Sequence, residues 1–166
     1  MKFKSENSSL PVIFGCFMLF SYIVMKFLCR GKYEFLHIIS EKIAFPPMWV
    51  FNLLFMTALF FLGVSAGFFL NSLIENKFSM QVENLILRGF VFLVGIYFLS
   101  LLWYPILFAL QMPIFSYIFS LLTVALSVLI LIFWFKACSA YSFFVIPFLL
   151  WSVYLNILNF FTIFSI

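Results

Sequence analysis

The sequence predicts an all-α, polytopic membrane protein, a bundle of five transmembrane helices in a single domain. Of its 166 residues, 67% are apolar and only 8% are charged, and the mean hydropathy is +1.26. Soluble domains are nearer about 45–50% apolar and about 25% charged. A soluble domain of this size has too much surface for its volume to hide so much apolar area. The composition therefore excludes a soluble enzyme, a disordered regulator and a nucleic-acid-binding module.

Long apolar runs are the second observation, because a bilayer core requires about 20 apolar residues in a helix. Short polar breaks separate these runs, so we expect neighbouring helices to be antiparallel. Strand-type alternation is absent, which argues against a β-barrel. The predicted spans are residues 10–28, 46–70, 85–110, 114–135 and 142–164, within one domain covering residues 1–166.

The first two spans begin with different signals. Lys2 and Lys4 precede the first apolar run, as in a secretory signal peptide. No small-x-small cleavage site follows that run, so we expect a retained first span. The second span starts at Pro46 and Pro47, because proline is favoured in the first turn of a helix. Residues 71–84 are the next predicted polar loop.

The last three spans are separated by two short breaks. Pro105 lies inside the third span, so we expect a kink there. Residues 111–113 form the break before the fourth span. Lys136 and Ser139 mark a tight turn before the fifth span.

Small and amide side chains inside the spans allow two interpretations each. Gly63 and Gly67 form a GxxxG pattern, which indicates either close helix packing or the floor of a groove for a flat ligand. Asn156 and Asn159 lie within the fifth span. An amide inside a membrane needs a hydrogen-bond partner, so these two face either another helix or a ligand.

Basic residues lie mostly at the edges of the apolar runs, which is typical of juxtamembrane charge and indicates an integral, multi-pass membrane protein. Five basic residues fall on the side of the N-terminus and four on the other side, so charge does not decide the orientation. The sequence also does not distinguish a bacterial envelope membrane from a mitochondrial outer membrane. The two sets are Lys2, Lys4, Lys77, Arg88 and Lys136, and Lys26, Arg30, Lys32 and Lys42.

No catalytic or metal-binding constellation is visible in the sequence. There is one His, there is no Asp, and none of the five acidic residues lies inside a predicted span. Paired carboxylates, a Ser-His-Asp set and a glycine-rich phosphate loop are therefore missing. The three cysteines form no CxxC motif, so neither a disulfide framework nor a zinc site is expected.

Three blocks of residues resemble the signatures of the TspO/MBR family, the translocator or tryptophan-rich sensory proteins. Residues 46–51 (PPMWVF), with Gly63 and Ala66, resemble PPxWxF…MGxxA. Residues 103–108 (WYPILF) resemble the W-x-P-x-x-F of the family's third helix. Residues 147–151 (PFLLW), followed by Leu158 and Asn159, resemble the PYLxW…LN of its fifth helix.

This resemblance implies a five-helix bundle, usually a homodimer, that binds tetrapyrroles such as protoporphyrin IX. Some members also bind sterol or synthetic ligands, and no cofactor is required beyond the bound ligand. The implied pocket lies inside the bundle, beneath the loop that joins the first two helices. Carried over by position, the expected ligand-binding residues are Trp49, Phe55, Ser100, Trp103, Phe108, Phe148, Trp151 and Asn159.

The chain also departs from the family pattern. Phe55 replaces a second Trp, Ser100 replaces an Asn, and Phe148 replaces a Tyr. Three functions follow from the resemblance and its departures. The first is a tetrapyrrole sensor, carrier or scavenger. The second is photo-oxidative porphyrin breakdown, for which Trp151 is the best redox-active candidate. The third is a sterol-binding or partner-binding membrane subunit with a vestigial pocket.

Overall fold

The fold is the predicted all-α membrane bundle. The computed structural model describes residues 9–28, 46–75 and 77–165, and this part of the chain contains no β-strand. Five helical segments in it are long and apolar enough to cross a membrane. The main helices are α1 (Leu10–Leu28), α2 (Met48–Ile74), α3 (Met80–Tyr104), α4 (Pro113–Ala137) and α5 (Ile146–Ser165).

Helix α2 is the central element of the described bundle. It packs along α1 and against α5, while α4 packs along both α3 and α5. More than half of α2 is buried, a larger share than in any other span. Its apolar side chains point in every direction around the axis, as expected for a helix that is surrounded by others.

The GxxxG pattern of α2 packs against α1. A Cβ atom placed on Gly63 would lie 2.6 Å from the backbone carbonyl oxygen of Phe14, and one on Gly67 would collide with the backbone of Pro11. The two backbones approach this closely because glycine has no side chain there. Close helix packing is therefore the correct interpretation, and the alternative of a ligand groove at these glycines is wrong.

The polar loop predicted at residues 71–84 is much shorter in the structure. Helix α2 continues to Ile74 and α3 already begins at Met80. The Ser72 hydroxyl donates to the backbone carbonyl of Phe68 at 2.9 Å. The Asn71 amide donates to the Glu75 carboxylate at 3.1 Å. These polar groups find partners one helical turn away, so they do not end the helix.

Two further boundaries differ from prediction. Pro46 and Pro47 precede α2, which begins at Met48. Before α5, a short helix (Ser139–Ser142) and a 3₁₀ turn (Phe143–Val145) extend the fifth membrane-spanning segment toward its N-terminus.

Proline changes the geometry at the end of the third span. Residues Pro105–Ala109 form a π-helical turn, in which the Leu110 N–H donates to the carbonyl of Pro105 at 3.0 Å. Gln111 then adopts a left-handed conformation with φ of 54°. This residue reverses the chain, and α4 begins two residues later at Pro113. The expected kink is thus a widened turn followed by a tight reversal.

Candidate functional site

An aromatic cluster fills the centre of the described bundle, and we define it as Phe51, Phe55, Trp103, Phe108, Phe148 and Trp151. All six side chains are buried. Phe51 stacks on Trp103 with ring centroids 5.9 Å apart and meets the edge of Trp151 at 4.8 Å. Phe55 stacks on Trp151 with ring centroids 5.6 Å apart. The cluster therefore joins α2, α3 and α5 through ring contacts.

Local helix geometry explains how the third span contributes two members of the cluster, Trp103 at the end of α3 and Phe108 in the π-turn that follows. In a regular α-helix, side chains five residues apart diverge by about 140°. Trp103 and Phe108 have this spacing, yet both are buried and their rings meet edge-on at 5.8 Å. The wider π-turn at Pro105 reduces their divergence. The proline thus turns Trp103 and Phe108 toward the same interior.

A small cavity lies against this cluster. The volume open to the centre of a water molecule is about 10 Å³, near the lower limit for holding one water. Aromatic rings form part of its wall, and hydroxyl side chains from three helices form much of the rest. The lining residues are Phe55, Ser100, Trp103, Ser120, Thr123, Phe148, Trp151, Ser152 and Leu155.

Two indole groups at this cavity are unpaired. Within the described part of the chain, the buried Nε1 atoms of Trp103 and Trp151 have no hydrogen-bond partner. Trp134, by contrast, donates from Nε1 to the backbone carbonyl of Ile86 at 3.2 Å. A buried donor without a partner costs about 1–3 kcal/mol. The surface that faces the cavity is apolar, so these two N–H groups would reach an acceptor only after the rings have moved.

The two intramembrane asparagines of α5 face α4. The Ser116 hydroxyl donates to Oδ1 of Asn159 at 2.9 Å. The Asn156 amide donates to the Ser120 hydroxyl at 3.1 Å. Asn156 and Asn159 were predicted to face either another helix or a ligand, and the structure shows hydrogen bonds to another helix. Nδ2 of Asn159 remains buried and without a partner among the described residues.

The predicted ligand-binding residues fall into three groups. Five of them line the one small cavity, namely Phe55, Ser100, Trp103, Phe148 and Trp151. Phe108 contacts the ring of Trp103, and Asn159 lies in the interface between α4 and α5. Trp49 is 70% exposed at the start of α2 and is not brought to the cluster.

Sequence reasoning missed the deepest member of the cluster. Phe51 is completely buried between Trp103 and Trp151. It also missed the contact between α1 and α2, where the Tyr22 hydroxyl donates to Oδ1 of Asn52 at 2.6 Å. One signal was available, because Phe51 is the last residue of the PPMWVF block and lies one helical turn before Phe55.

Most charged groups of the described structure lie near the ends of the spans, whereas Arg88 lies about two turns inside the third. Glu75 and Lys77 form an ion pair between α2 and α3. The hydrogen bond from Lys77 lowers the pKa of Glu75, and the same bond raises the pKa of Lys77. No group of three metal-ligating side chains occurs among the described residues. The predicted loop that would cover the pocket, residues 29–45, lies outside the described part of the chain.

Comparison with known proteins agrees with the motif blocks. The sequence model described as TspO/MBR family matches residues 12–164, which is nearly the whole chain. No curated protein and no solved structure gives a significant match. All three motif blocks lie inside the matched region.

Proposed function

Because the chain belongs to the TspO/MBR family, we propose that it binds a tetrapyrrole such as protoporphyrin IX inside its helix bundle. It would act as a sensor, a carrier or a scavenger of that ligand, as an integral, multi-pass membrane protein. The observation that carries this proposal is the aromatic cluster, with the unpaired indole N–H groups of Trp103 and Trp151 at one cavity.

The chemistry of the cluster suits a flat, apolar macrocycle. Aromatic side chains bind such a ligand by offset stacking and require few polar groups for orientation. The indole N–H groups would donate to acceptors on the ligand, such as a carboxylate or carbonyl oxygen. Ser100 and Ser152 also line the cavity, but its exposed surface is apolar, and the Ser152 hydroxyl donates to the backbone carbonyl of Leu149 at 2.8 Å.

Binding requires the cluster to open. Small-molecule pockets generally measure about 300–1,000 Å³, far above the roughly 10 Å³ that is open here. Ring contacts, not hydrogen bonds, hold Trp151 against Phe51 and Phe55. Rotation of this side chain would therefore break no described indole hydrogen bond.

The test is a titration of the detergent-purified protein with protoporphyrin IX, followed by the absorbance of the porphyrin. We expect saturable binding at micromolar ligand or below, about −8 kcal/mol or tighter. Trp103→Phe and Trp151→Phe should each weaken it, because each removes an indole donor and part of the stacking surface. Trp49→Phe is the matched control, because this exposed tryptophan lies outside the cluster.

A non-saturable signal, equal in all four proteins, would mean that the porphyrin only partitions into the micelle. Binding that is weakened by Trp49→Phe and not by the two cluster variants would move the site to the start of α2. Either outcome would contradict the proposed site.

One observation favours a second candidate, a membrane subunit with a vestigial pocket. The cavity against the aromatic cluster is very small, and Ser100 stands where the family pattern has an amide. If this candidate is correct, protoporphyrin IX should not bind saturably. Filling the cavity by Ser100→Leu should then leave function in the cell unchanged.

A further inference from the structure

A groove opens on the side of the bundle between α2 and α5. It encloses about 290 Å³ and faces outward, where lipid surrounds a membrane-spanning bundle. Leu54 and Leu150 lie on its walls and are 48% and 65% exposed, respectively. Ala58, a small buried residue, leaves room at its base. The groove is therefore an apolar recess that is accessible from the bilayer.

Trp151 separates this groove from the inner cavity. Its side chain lines both the groove and the cavity of the aromatic cluster. The outer recess and the inner site are thus one side chain apart. No described hydrogen bond holds the indole nitrogen in place, and the ring is fixed by contacts with Phe51, Phe55 and Tyr154.

The start of α5 is a region where the backbone hydrogen-bond pattern changes. The 3₁₀ turn Phe143–Val145 directly precedes α5. Pro147 is the second residue of α5 and lies in its first turn. Proline supplies no N–H, and short 3₁₀ segments often mark hinges. The helical turn that carries Leu150 and Trp151 follows directly.

We propose that this groove is the entry subsite for a flat, apolar ligand dissolved in the bilayer, and that Trp151 is the gate to the inner site. The inference rests on the proposed function, and its occupant is the tetrapyrrole on its way to the aromatic cluster. An apolar macrocycle concentrates in the membrane, so a lateral route avoids its transfer through water. The observation that supports this route is that Trp151 lines both the groove and the cavity.

A second groove of similar size provides a control. It encloses about 340 Å³ between α4 and the segment that begins the fifth span. Its lining includes Leu131, Ile132 and Ile146. Among the described residues, no side chain lines both this groove and the inner cavity. It is therefore an apolar recess without a connection to the aromatic cluster.

The experiment measures binding kinetics in lipid nanodiscs. Protoporphyrin IX is supplied in donor vesicles, and its own fluorescence reports association and dissociation. The wild type is compared with Leu150→Trp and Leu54→Trp, which fill the groove from its two walls, and with Ile132→Trp in the second groove. All three side chains are more than a third exposed, so the larger ring has room.

We expect both groove variants to slow association by about tenfold, a barrier increase of about 1.4 kcal/mol. Dissociation should slow as well, because the ligand leaves through the same opening. Ile132→Trp should leave both rates unchanged. If one groove variant does not fold, the other still tests the route, because the two substitutions lie on different helices.

Saturable binding with unchanged rates in both groove variants would overturn the entry route and leave the proposed function intact. A loss of affinity, with unchanged association, would make the groove the binding site itself and would also overturn the gate. A changed dimer fraction without a kinetic effect would assign the groove to a second copy of the chain. A changed lipid content without a kinetic effect would assign it to a lipid acyl chain. An absence of saturable binding in the wild type would reject the proposed function, and with it this inference.

Discussion

Tryptophan side chains in the bundle differ in one respect, the partner of the indole nitrogen. Trp134 packs over Gly89 and donates to the carbonyl of Ile86. Trp103 is equally buried and has no described partner. We expect Trp134→Phe to lower the free energy of unfolding by about 1 kcal/mol more than Trp103→Phe, because only the first loses a hydrogen bond. Thermal unfolding in detergent measures the difference.

Equal destabilisation by the two substitutions would contradict this expectation. It would mean that the Trp103 nitrogen has a partner, such as a bound water, that compensates for its burial. Trp49→Phe serves as the exposed reference for the loss of ring volume.

The motif blocks predicted the positions of some side chains in the bundle and not of others. Phe55, Trp103 and Trp151 were placed by motif spacing, and they meet at one cavity. Trp49 was placed with them, yet it is exposed, while Phe51 occupies the interior. In a helix that is apolar on every side, a helical period identifies faces without showing which face points inward.

Glycine positions decide how close α2 lies to α1. Gly67→Ala would place a Cβ atom against the backbone of Pro11, which cannot move without shifting α1. We expect a loss of about 1–3 kcal/mol in the free energy of unfolding, the usual cost of overpacking. Chemical or thermal unfolding of the purified protein provides the measurement.

Gly95→Ala is the matched control for that substitution. Its new Cβ would meet only the end of the Leu126 side chain, at 3.2 Å. A flexible side chain gives way at little cost, so stability should change by less than about 1 kcal/mol. The interpretation of the α1–α2 contact would fail if the two variants were equally stable.

The connection between α3 and α4 contains a strained residue. Gln111 has φ of 54°, a conformation that glycine adopts far more easily than other residues do. We expect Gln111→Gly to raise the free energy of unfolding by about 1 kcal/mol, the cost of a left-handed non-glycine residue. Gln111→Ala should not stabilise, because alanine keeps the strain. Thermal unfolding of the three proteins distinguishes these outcomes.

Element ends were predicted less well than element number. Five spans follow from composition and run length, and the described residues contain five. The loop at 71–84 was overestimated, since Asn71 and Ser72 bond within α2 and continue it. The sequence showed that Pro105 would disturb α3. It could not show that a π-turn results, because that choice depends on packing around Trp103 and Phe108.

If the proposed function is correct, the bundle has to change shape to admit a macrocycle to the aromatic cluster. The cavity against that cluster measures only about 10 Å³. If opening precedes binding, the observed association rate should level off as porphyrin concentration rises, at the rate of the opening step. Stopped-flow fluorescence with excess protoporphyrin IX measures this dependence. A rate that rises linearly over the whole concentration range would indicate a site that is open before the ligand arrives.

Three of the described glycines of α2 and α3 already make close contacts inside the bundle. Gly63 and Gly67 pack on α1, and Gly89 packs under Trp134 of α4. A homodimer therefore stays a prediction from the family resemblance. Of the described glycines on α3, only Gly95 is free of a close contact with another helix backbone or a tryptophan ring.

The two amide–hydroxyl bonds between α4 and α5 have a consequence for biogenesis. The fifth membrane-spanning segment is the least apolar of the five, whereas its neighbour α4 is the most apolar. Asn156 and Asn159 gain their partners only when α4 lies alongside. Cys138 is the only residue between α4 and the short helix that follows it. The fourth and fifth membrane-spanning segments are therefore adjacent as soon as they are synthesised. The last two segments should therefore leave the translocon together as a helical hairpin, with α4 shielding the amides of its partner from lipid.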